Sequence, residues 1–321
     1  MKAIRFEAHG APDVLQLVDV VVGEPAAGEA RVRHTAIGVN YIDTYHRTGL
    51  YPVALPSGLG VEAAGVVEAV GEGVSHVAAG DRVVYFTSTL GGYATHRLIA
   101  ARWLVKLPDA ISDDVAAAVW LKACTVEFLV ERCARVKAGD TVLVQAAAGG
   151  VGVLLCQWLK AIGATVIGTV GSPEKVETAR AAGAEHVLAY ADVPAKVREL
   201  TGGEGVACVI DGVGKDTFEA SLDSLRRRGL HISYGNASGA IGPVDFGILA
   251  RKGSLYTTRP TLFDYYATDA DFAAGSARVL AMLAAGSIAP TIGQTFALAD
   301  AVAAHRALEG RTTIGSSLLR V

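Results

Sequence analysis

The chain has 321 residues, which is enough for two domains and more than one ordinary hydrophobic core accommodates. Because hydrophobic residues make up 51% and charged residues 19%, the composition excludes a disordered chain and indicates a globular one. The formal net charge is -3, and the densest basic cluster, Arg226 to Arg228, is interpreted as the solvated end of a helix. A protein that neutralises phosphates needs more basic surface, so we expect no nucleic-acid partner.

The N-terminal residues 2–7 alternate polar and apolar side chains as a strand does, without the apolar segment of a signal peptide. An uncharged stretch at 141–159 is long enough to span a membrane, but its pattern changes midway from strand-like to helical. The four cysteines form no CxxC pair. We therefore expect a cytoplasmic protein with buried thiols and no membrane partner.

Residues 1–121 are rich in short alternating segments separated by glycine turns, for example at 31–37, 65–70 and 80–85. Strand, glycine turn and strand in succession form the pattern of a compact β-barrel-like domain. The sequence therefore predicts a β-rich first domain that ends near residue 121.

The rhythm changes over residues 122–262, where short apolar segments recur and helical patterns fill most of the gaps. Helices are predicted at 151–162 and 218–225, with Gly163 and Gly229 placed at their ends. Alternating strands and helices predict a doubly wound parallel sheet, whose strands are apolar throughout. The six predicted strands are 141–146, 165–170, 186–190, 207–211, 230–234 and 254–258.

The tail, residues 263–321, carries a predicted helix at 272–285, a strand at 291–297, a helix near 300–308 and a strand at 316–319. Six strands already complete the nucleotide-binding sheet, so we expect this tail to fold back onto the first domain. The predicted organisation is thus α/β with two domains, one formed by 1–121 with 263–321 and the other by 122–262.

The main motif is Ala147-Ala148-Gly149-Gly150-Val151-Gly152, a GxGxxG pattern with alanine in the first place. It follows a predicted strand and opens a helix, which is the context that the dinucleotide-binding turn requires. We expect Gly149 to let a pyrophosphate approach the backbone and Gly152 to let the helix pack close to the strand. The helix N-terminus would then offer free N–H groups to the phosphates.

The residues at the end of the second strand of this domain indicate whether the coenzyme is NADPH or NADH. NAD-preferring sites place an acid there for the ribose 2′-hydroxyl, whereas this chain has Gly171 and Ser172. Lys175 falls in the first helical turn, where a cation opposes the helix dipole, so we expect it to bind the 2′-phosphate of NADPH. Tyr190, at the end of the third strand, is a second candidate donor. The alternative is a solvated lysine beside Glu174.

At this point the residues match a known family, and the similarity extends over nearly the whole chain. The sequence resembles the quinone oxidoreductase and zeta-crystallin group of the zinc-independent medium-chain dehydrogenases/reductases. The resemblance implies a GroES-like catalytic domain made from both chain ends, a Rossmann domain between them, and a homodimer joined through the Rossmann sheets. It rests on residues 139–140, 143, 147–150, 152, 157 and 160, and on segments 36–45, 47–52, 55–60, 234–239 and 315–319.

The zinc ligands of related enzymes are absent from the sequence. Zinc-dependent relatives carry a cysteine in the segment after Gly38, where this chain has Asn40, and a histidine where it has Val61. No cysteine-rich lobe and no HxH or HExxH pair is present. We therefore expect catalysis without a metal, by proximity and by stabilisation of the oxyanion that a reduced quinone develops.

The resemblance also implies the site residues. Asn40, Tyr45 and Tyr51 lie in the segment that borders the nicotinamide in the family, where they would contact a quinone or the ribose; the alternative for each tyrosine is domain packing. Gly212 stands where relatives have serine and is omitted as a ligand. The remaining residues that the family pattern or the glycine turn places beside the dinucleotide are Thr125, Ala148, Gly150, Val151, Tyr234, Gly235, Asn236, Thr258 and Arg311, of which Arg311 is alternatively a surface residue.

These observations favour an NADPH-dependent quinone reductase acting on a small-molecule quinone, with electrons passed singly or as hydride. The alternative enzyme reduces an activated C=C bond, in an enone or a haloacrylate, because such acceptors differ little from quinones and pocket shape decides between them. A non-catalytic role, as a structural protein or an RNA binder, is less consistent with an intact cofactor motif and an acidic net charge.

Overall fold

A computed structural model of the protein describes residues 1–310 and 312–321, so the candidate ligand Arg311 lies outside the described residues. The chain forms two compact units. The first unit comprises Met1–Leu121 and Ala289–Val321, and the second comprises Lys122–Ile288. The first boundary between the units follows residue 121, as the sequence predicts. The second boundary lies between residues 288 and 289, whereas the sequence places it between 262 and 263.

The later boundary follows from the contacts of the segment 263–288. Arg132 Nη1 donates to the Tyr265 carbonyl (2.6 Å), the Tyr266 hydroxyl donates to Glu127 (2.8 Å), and Arg278 Nε donates to Glu131 (2.8 Å). These bonds attach the segment to the second unit. The sequence-based boundary was placed too early because it was set by counting strands, and this segment is helical.

The regular elements are as follows. The strands are β1 (Lys2–Phe6), β2 (Gln16–Asp19), β3 (Glu29–Val39), β4 (Ser57–Gly58), β5 (Glu62–Val70), β6 (Arg82–Phe86), β7 (His96–Ala100), β8 (Val105–Lys106), β9 (Thr141–Val144), β10 (Thr165–Val170), β11 (His186–Ala189), β12 (Val206–Asp211), β13 (Leu225–Ser233), β14 (Tyr256–Thr258), β15 (Ile292–Ala297) and β16 (Ser316–Arg320). The α-helices are α1 (Tyr41–Thr48), α2 (Asp113–Glu127), α3 (Gly150–Ala161), α4 (Val176–Ala181), α5 (Val193–Leu200), α6 (Phe218–Asp223), α7 (Gly247–Arg251), α8 (Leu262–Tyr265), α9 (Asp269–Ala284) and α10 (Ala301–Glu309).

The first unit is organised around the long strand β3. It belongs to a seven-stranded sheet in the order β15-β16-β3-β5-β6-β8, and β7 also pairs with β3. Ala30 and Val32 of β3 are fully buried while Arg33 is exposed, which is the alternation expected of a strand with one face in a core. A smaller sheet, in the order β2-β1-β4, completes the strands of this unit. The predicted barrel-type domain is therefore confirmed.

The second unit contains a six-stranded sheet in the order β11-β10-β9-β12-β13-β14. All its pairings are parallel, and Val142, Leu143 and Val144 of the central β9 are fully buried, as the doubly wound arrangement requires. The predicted Rossmann sheet is confirmed, and Gly163 follows α3 with a φ of 83° as predicted.

Two local predictions in the second unit were wrong. Gly229 does not end a helix, because α6 already ends at Asp223 and Gly229 lies within β13. Likewise, Arg226 to Arg228 are exposed residues of β13 rather than the end of a helix. The apolar spacing of Phe218, Leu222 and Leu225 continues across the helix-to-strand junction, and this continuity conceals the junction in the sequence.

Candidate functional site

The candidate residues of the second unit gather at one edge of its sheet. The strands are parallel, so the turns that follow them meet at their carboxyl ends, where α/β proteins bind ligands. We call this edge the carboxyl edge. It consists of the turns at 145–152, 171–175, 190, 212–214, 234–236 and 258–259.

The glycine turn after β9 has the clearances that a phosphate-binding turn needs. A Cβ atom on Gly152 would lie 2.2 Å from the Ala146 carbonyl oxygen, so α3 sits closer to the strand end than any side chain permits. A Cβ on Gly149 would meet only that same oxygen, at 3.3 Å, so the outer side of Gly149 is open. Helix α3 starts at Gly150, between Ala148 and Val151 in the turn, and the first N–H groups of a helix have no partner within it. The turn therefore fits a diphosphate.

The ends of β10 and β11 lie side by side, because Val170 pairs with Ala189. Consequently Gly171 and Tyr190 are neighbours, and a Cβ on Gly171 would lie 3.8 Å from Tyr190 Cε2. Ser172 is extended and precedes the short turn Pro173–Lys175, in which Lys175 is half-buried. The structure thus brings together the residues predicted to distinguish NADPH from NADH.

Glu174, next to Lys175, is the nearest competing charge in the sequence. A hydrogen bond from the Ser172 hydroxyl lowers the pKa of the Glu174 carboxyl, which is fully exposed. The carboxylate is therefore anionic at neutral pH. For Ser172 to bind a phosphate, its hydroxyl would have to leave Glu174.

The turns after β13 and β14 are joined by an arginine that sequence reasoning missed. Arg259 Nη1 donates to the Ser233 hydroxyl (3.0 Å) and to the Gly235 carbonyl (2.8 Å), and Nη2 donates to the Asn236 side-chain oxygen (2.9 Å). The candidate Thr258 precedes it at the end of β14. The available signal was a basic residue directly after the last strand of the sheet.

Tyr234 occupies the space above Gly212. A Cβ on Gly212 would lie 2.6 Å from the Tyr234 hydroxyl oxygen, and a Cβ on Gly235 would lie 2.3 Å from the Gly212 carbonyl oxygen. The absence of a side chain at 212 therefore admits the tyrosine hydroxyl to the carboxyl edge. Thr125, the remaining candidate of this unit, is half-buried near the carboxyl end of α2.

In the first unit, Asn40 is fixed just ahead of α1. Its side-chain nitrogen donates to Glu62 Oε2 (2.8 Å), and its backbone N–H donates to Asp43 (2.8 Å). Glu62 is fully buried and its other oxygen accepts from the Leu121 N–H (2.5 Å). Sequence reasoning missed Glu62 as the residue that orients Asn40, although it considered the neighbouring Val61.

The two candidate tyrosines form one aromatic cluster with His46. The Tyr45 and Tyr51 rings meet edge to face with centroids 5.2 Å apart, and the Tyr51 N–H donates to the Tyr45 carbonyl (3.1 Å). The His46 ring lies 5.9 Å from that of Tyr51. Burial lowers the pKa of His46 to about 4, so its imidazole is neutral at pH 7. The cluster therefore presents uncharged aromatic surface.

The described residues contain neither a metal-binding cluster nor a membrane-spanning helix. Across residues 1–310 and 312–321, no group of three or more His, Cys, Asp or Glu side chains is arranged to hold a metal ion. Among the helices of the same residues, none combines the length and the apolar character needed to cross a membrane.

Comparisons with known proteins identify the family. Residues 26–109 match the alcohol dehydrogenase GroES-like domain, and residues 150–273 match the zinc-binding dehydrogenase family. The chain is 51% identical to a quinone oxidoreductase of Salmonella typhimurium, over 98% of each chain. It is 44% identical to a 2-haloacrylate reductase of Burkholderia, over 99% of this chain and 98% of that protein.

Among solved structures, the chain is similar to Escherichia coli quinone oxidoreductase complexed with NADPH, with a TM-score of 0.98 and 48% identity over 100% of both chains. The full-length match to quinone oxidoreductases agrees with the barrel-type unit, the six-stranded parallel sheet and the open glycine turn. The chain therefore belongs to the quinone oxidoreductase family of the medium-chain dehydrogenases/reductases.

Proposed function

We propose that this enzyme reduces a small-molecule quinone with NADPH, binding the dinucleotide at the carboxyl edge of the second unit and the quinone against the Tyr45 cluster of the first. Full-length similarity to quinone oxidoreductases supports the type of reaction, and the open side of Gly149 supports the proposed position of the coenzyme. Bound NADPH supplies the reducing equivalents, and the side chains bind, orient and shield the reactants.

Backbone N–H groups and side chains bind different parts of the coenzyme. Gly149, Gly150, Val151 and the start of α3 bind the diphosphate through N–H groups, with Ala148 and Gly152 shaping the turn. Lys175, Ser172 and Tyr190 beside Gly171 bind the 2′-phosphate. The residues proposed to line the rest of the dinucleotide are Asn40, Thr125, Tyr234, Gly235, Asn236, Thr258 and Arg311.

The acceptor needs orientation and stabilisation of developing negative charge rather than a strong acid. Asn40 is held by Glu62, so its amide has a fixed direction. The Tyr45 and Tyr51 rings, which meet edge to face, offer an apolar contact, and we propose that a tyrosine hydroxyl donates to an oxygen of the quinone. His46 is neutral at pH 7 and adds no charge.

The coenzyme assignment is tested by Lys175→Ala. Losing a charge-assisted hydrogen bond to the 2′-phosphate should raise KM for NADPH about tenfold or more and leave KM for NADH nearly unchanged. The matched control is Lys137→Ala, an exposed lysine ahead of β9 and so at the opposite edge of the sheet, which should change neither value. An equal rise in KM for NADPH and for NADH would contradict the assignment of Lys175 to the 2′-phosphate.

A second candidate function is reduction of an activated C=C bond, because the chain is also 44% identical to a 2-haloacrylate reductase. The two are separated by following NADPH oxidation across a panel of para-quinones, enones and 2-haloacrylates. We expect kcat/KM to be highest for a quinone. Faster turnover of an alkene than of every quinone would make the alkene reductase the correct function.

We also propose a homodimer formed through β14. This strand is an edge of the parallel sheet, and an edge offers unpaired N–H and C=O groups to a second copy. Tyr256 on β14 is 62% exposed, a large side chain left open at this edge. Light scattering should give the dimer mass, and Tyr256→Glu should shift it toward the monomer. We place the enzyme in the cytoplasm because its four cysteines, all within the described residues, form no disulfide.

A further inference from the structure

Four buried polar side chains form one line of hydrogen bonds beneath the carboxyl edge. The Thr169 hydroxyl donates to Gln145 Oε1 (2.6 Å), Gln145 Nε2 donates to the Ser221 hydroxyl (3.0 Å), and that hydroxyl donates to Asp211 Oδ2 (2.9 Å). Gln145 is 1% exposed and the other three are 0% exposed. We call Thr169, Gln145, Ser221 and Asp211 the Gln145 network.

One end of the network holds the glycine turn. The Thr169 hydroxyl accepts from the Ala146 N–H (3.2 Å), and the Thr169 carbonyl accepts from the Ala147 N–H (2.8 Å). Ala146 has a φ of 56°, in the left-handed region that is strained for an alanine. The turn therefore adopts an unfavourable backbone angle where Thr169 binds it.

The other end holds the turn after β12. Asp211 Oδ1 accepts from the Val213 N–H (2.8 Å) and the Gly214 N–H (3.1 Å), and Oδ2 also accepts from the Thr217 hydroxyl (2.7 Å). Although burial alone would raise the pKa of Asp211, the His231 imidazole and the Thr217 hydroxyl lower it, so the carboxylate is ionised and acts only as an acceptor.

The direction of every bond in the network is consequently fixed. An ionised Asp211 can only accept, so Ser221 donates to it and accepts from Gln145, and the amide oxygen is left for Thr169. Such a fully paired network specifies one arrangement, whereas a network with one partner missing is costly. Apolar side chains would avoid this requirement, and the three residues before Gln145, Val142, Leu143 and Val144, are apolar.

We propose that the Gln145 network positions the coenzyme by holding the glycine turn after β9 in register with the turn after β12. Its members act through the backbone of these turns and are positioning residues. The proposal rests on the coenzyme site described under the proposed function. NADPH affinity should therefore depend on side chains that lie beneath the coenzyme-binding turns.

The test is Thr169→Val, which keeps the shape of the side chain and leaves the Ala146 N–H and the Gln145 oxygen unpaired. We expect the Kd for NADPH, measured by fluorescence titration, to rise about tenfold or more. kcat at saturating NADPH should stay within about twofold, because the network does not touch the reactants. Thr169→Ser retains the hydroxyl and should restore the Kd to within about threefold of the wild type.

The matched control is Ser224→Ala. Ser224 is also fully buried in the second unit, but its hydroxyl donates to the Ala220 carbonyl (2.7 Å) and lies outside the network. It should lower Tm by a similar amount and leave the Kd for NADPH unchanged. If Thr169→Val does not fold, Ser221→Ala tests the same expectation from the middle of the network.

Three results would overturn the proposal. These are a lowered Tm with an unchanged Kd in Thr169→Val, an equal rise in Kd in Ser224→Ala, and a failure of Thr169→Ser to restore binding. The titration needs no acceptor. An enzyme that binds NADPH and reduces no quinone would therefore refute the proposed function and leave this test valid.

Discussion

Each unit contains a buried charged side chain, and the two differ in how fully they are paired. In the second unit, Asp211 has backbone and hydroxyl donors from the turns of the carboxyl edge. In the first unit, fully buried Arg47 donates through Nη2 to Glu309 (2.5 Å), and its Nε and Nη1 have no hydrogen-bond partner within residues 1–310 and 312–321. The buried carboxylate of the second unit is thus fully paired and fixes turns of the carboxyl edge, whereas the buried guanidinium of the first unit is only partly paired.

The largest expected effect comes from filling the glycine turn of the second unit. In Gly152→Val, a Cβ 2.2 Å from the Ala146 carbonyl oxygen would force α3 off the strand. We expect a loss of more than about 4 kcal/mol in the free energy of unfolding, or failure to fold. Urea denaturation measures this loss, and the yield of soluble protein shows whether the variant folds. Stability near that of the wild type would show that the protein tolerates displacement of α3.

The first unit should be the part that acid destabilises. Burial lowers the pKa of His34 to about 3, and burial together with the Arg47 charge lowers that of His305 to about 3, from an ordinary value of 6.5. The unfolded chain therefore binds more protons between these values. Stability is complete above pH 6.5 and falls as the pH drops toward 3, by about 1.4 kcal/mol per pH unit for each histidine.

Urea denaturation at pH 7, 6 and 5 measures this slope, and hydrogen exchange by peptide locates it. His305→Phe should reduce the change in unfolding free energy by about 1.4 kcal/mol per pH unit, the contribution of one histidine, whatever its effect on stability at pH 7. If amide protection falls first in peptides of the second unit as the pH is lowered, the expectation that acid destabilises the first unit is wrong.

A smaller and more selective effect is expected for Gly149→Ala. The added Cβ meets only the Ala146 oxygen at 3.3 Å, so the protein should fold with a Tm close to that of the wild type. The methyl group would occupy the space open to the diphosphate, and the Kd for NADPH should rise about tenfold. Unchanged binding would place the diphosphate elsewhere on the carboxyl edge.

The smallest effect is expected in the first unit, for Tyr51→Leu. This change removes the ring that contacts Tyr45 edge to face, and we expect KM for the quinone to rise about threefold to fivefold. The Kd for NADPH should not change. A rise in both values would mean that the aromatic cluster also serves the dinucleotide.

The sequence predicts the regular parts of the fold best. The strands of the second unit have a continuous apolar pattern, and Gly152 follows from the close packing that the motif demands. Residues 263–288 were assigned to the wrong unit because helical spacing does not say which core a helix faces. Arg226 to Arg228 were placed on a helix because the junction before β13 carries no glycine or proline.

The candidate site was predictable where it depends on backbone and less so where it depends on pairing. Gly171 and Tyr190 become neighbours because β10 and β11, consecutive strands of the predicted parallel sheet, pair with each other. The partnerships of Gln145 with Ser221 and of Asn40 with Glu62 join residues far apart in the chain. Local periodicity contains no information about such pairs, so the Gln145 network and the role of Glu62 emerge only from the folded chain.

The close fit of Tyr234 over Gly212 makes the two positions epistatic. A methyl group at 212 would collide with the Tyr234 hydroxyl oxygen, 2.6 Å away, whereas loss of that hydroxyl harms nothing at 212. A larger residue at 212 therefore requires the Tyr234 ring to move or to be replaced by a smaller side chain. The effect of a substitution at 212 depends on which residue stands at 234.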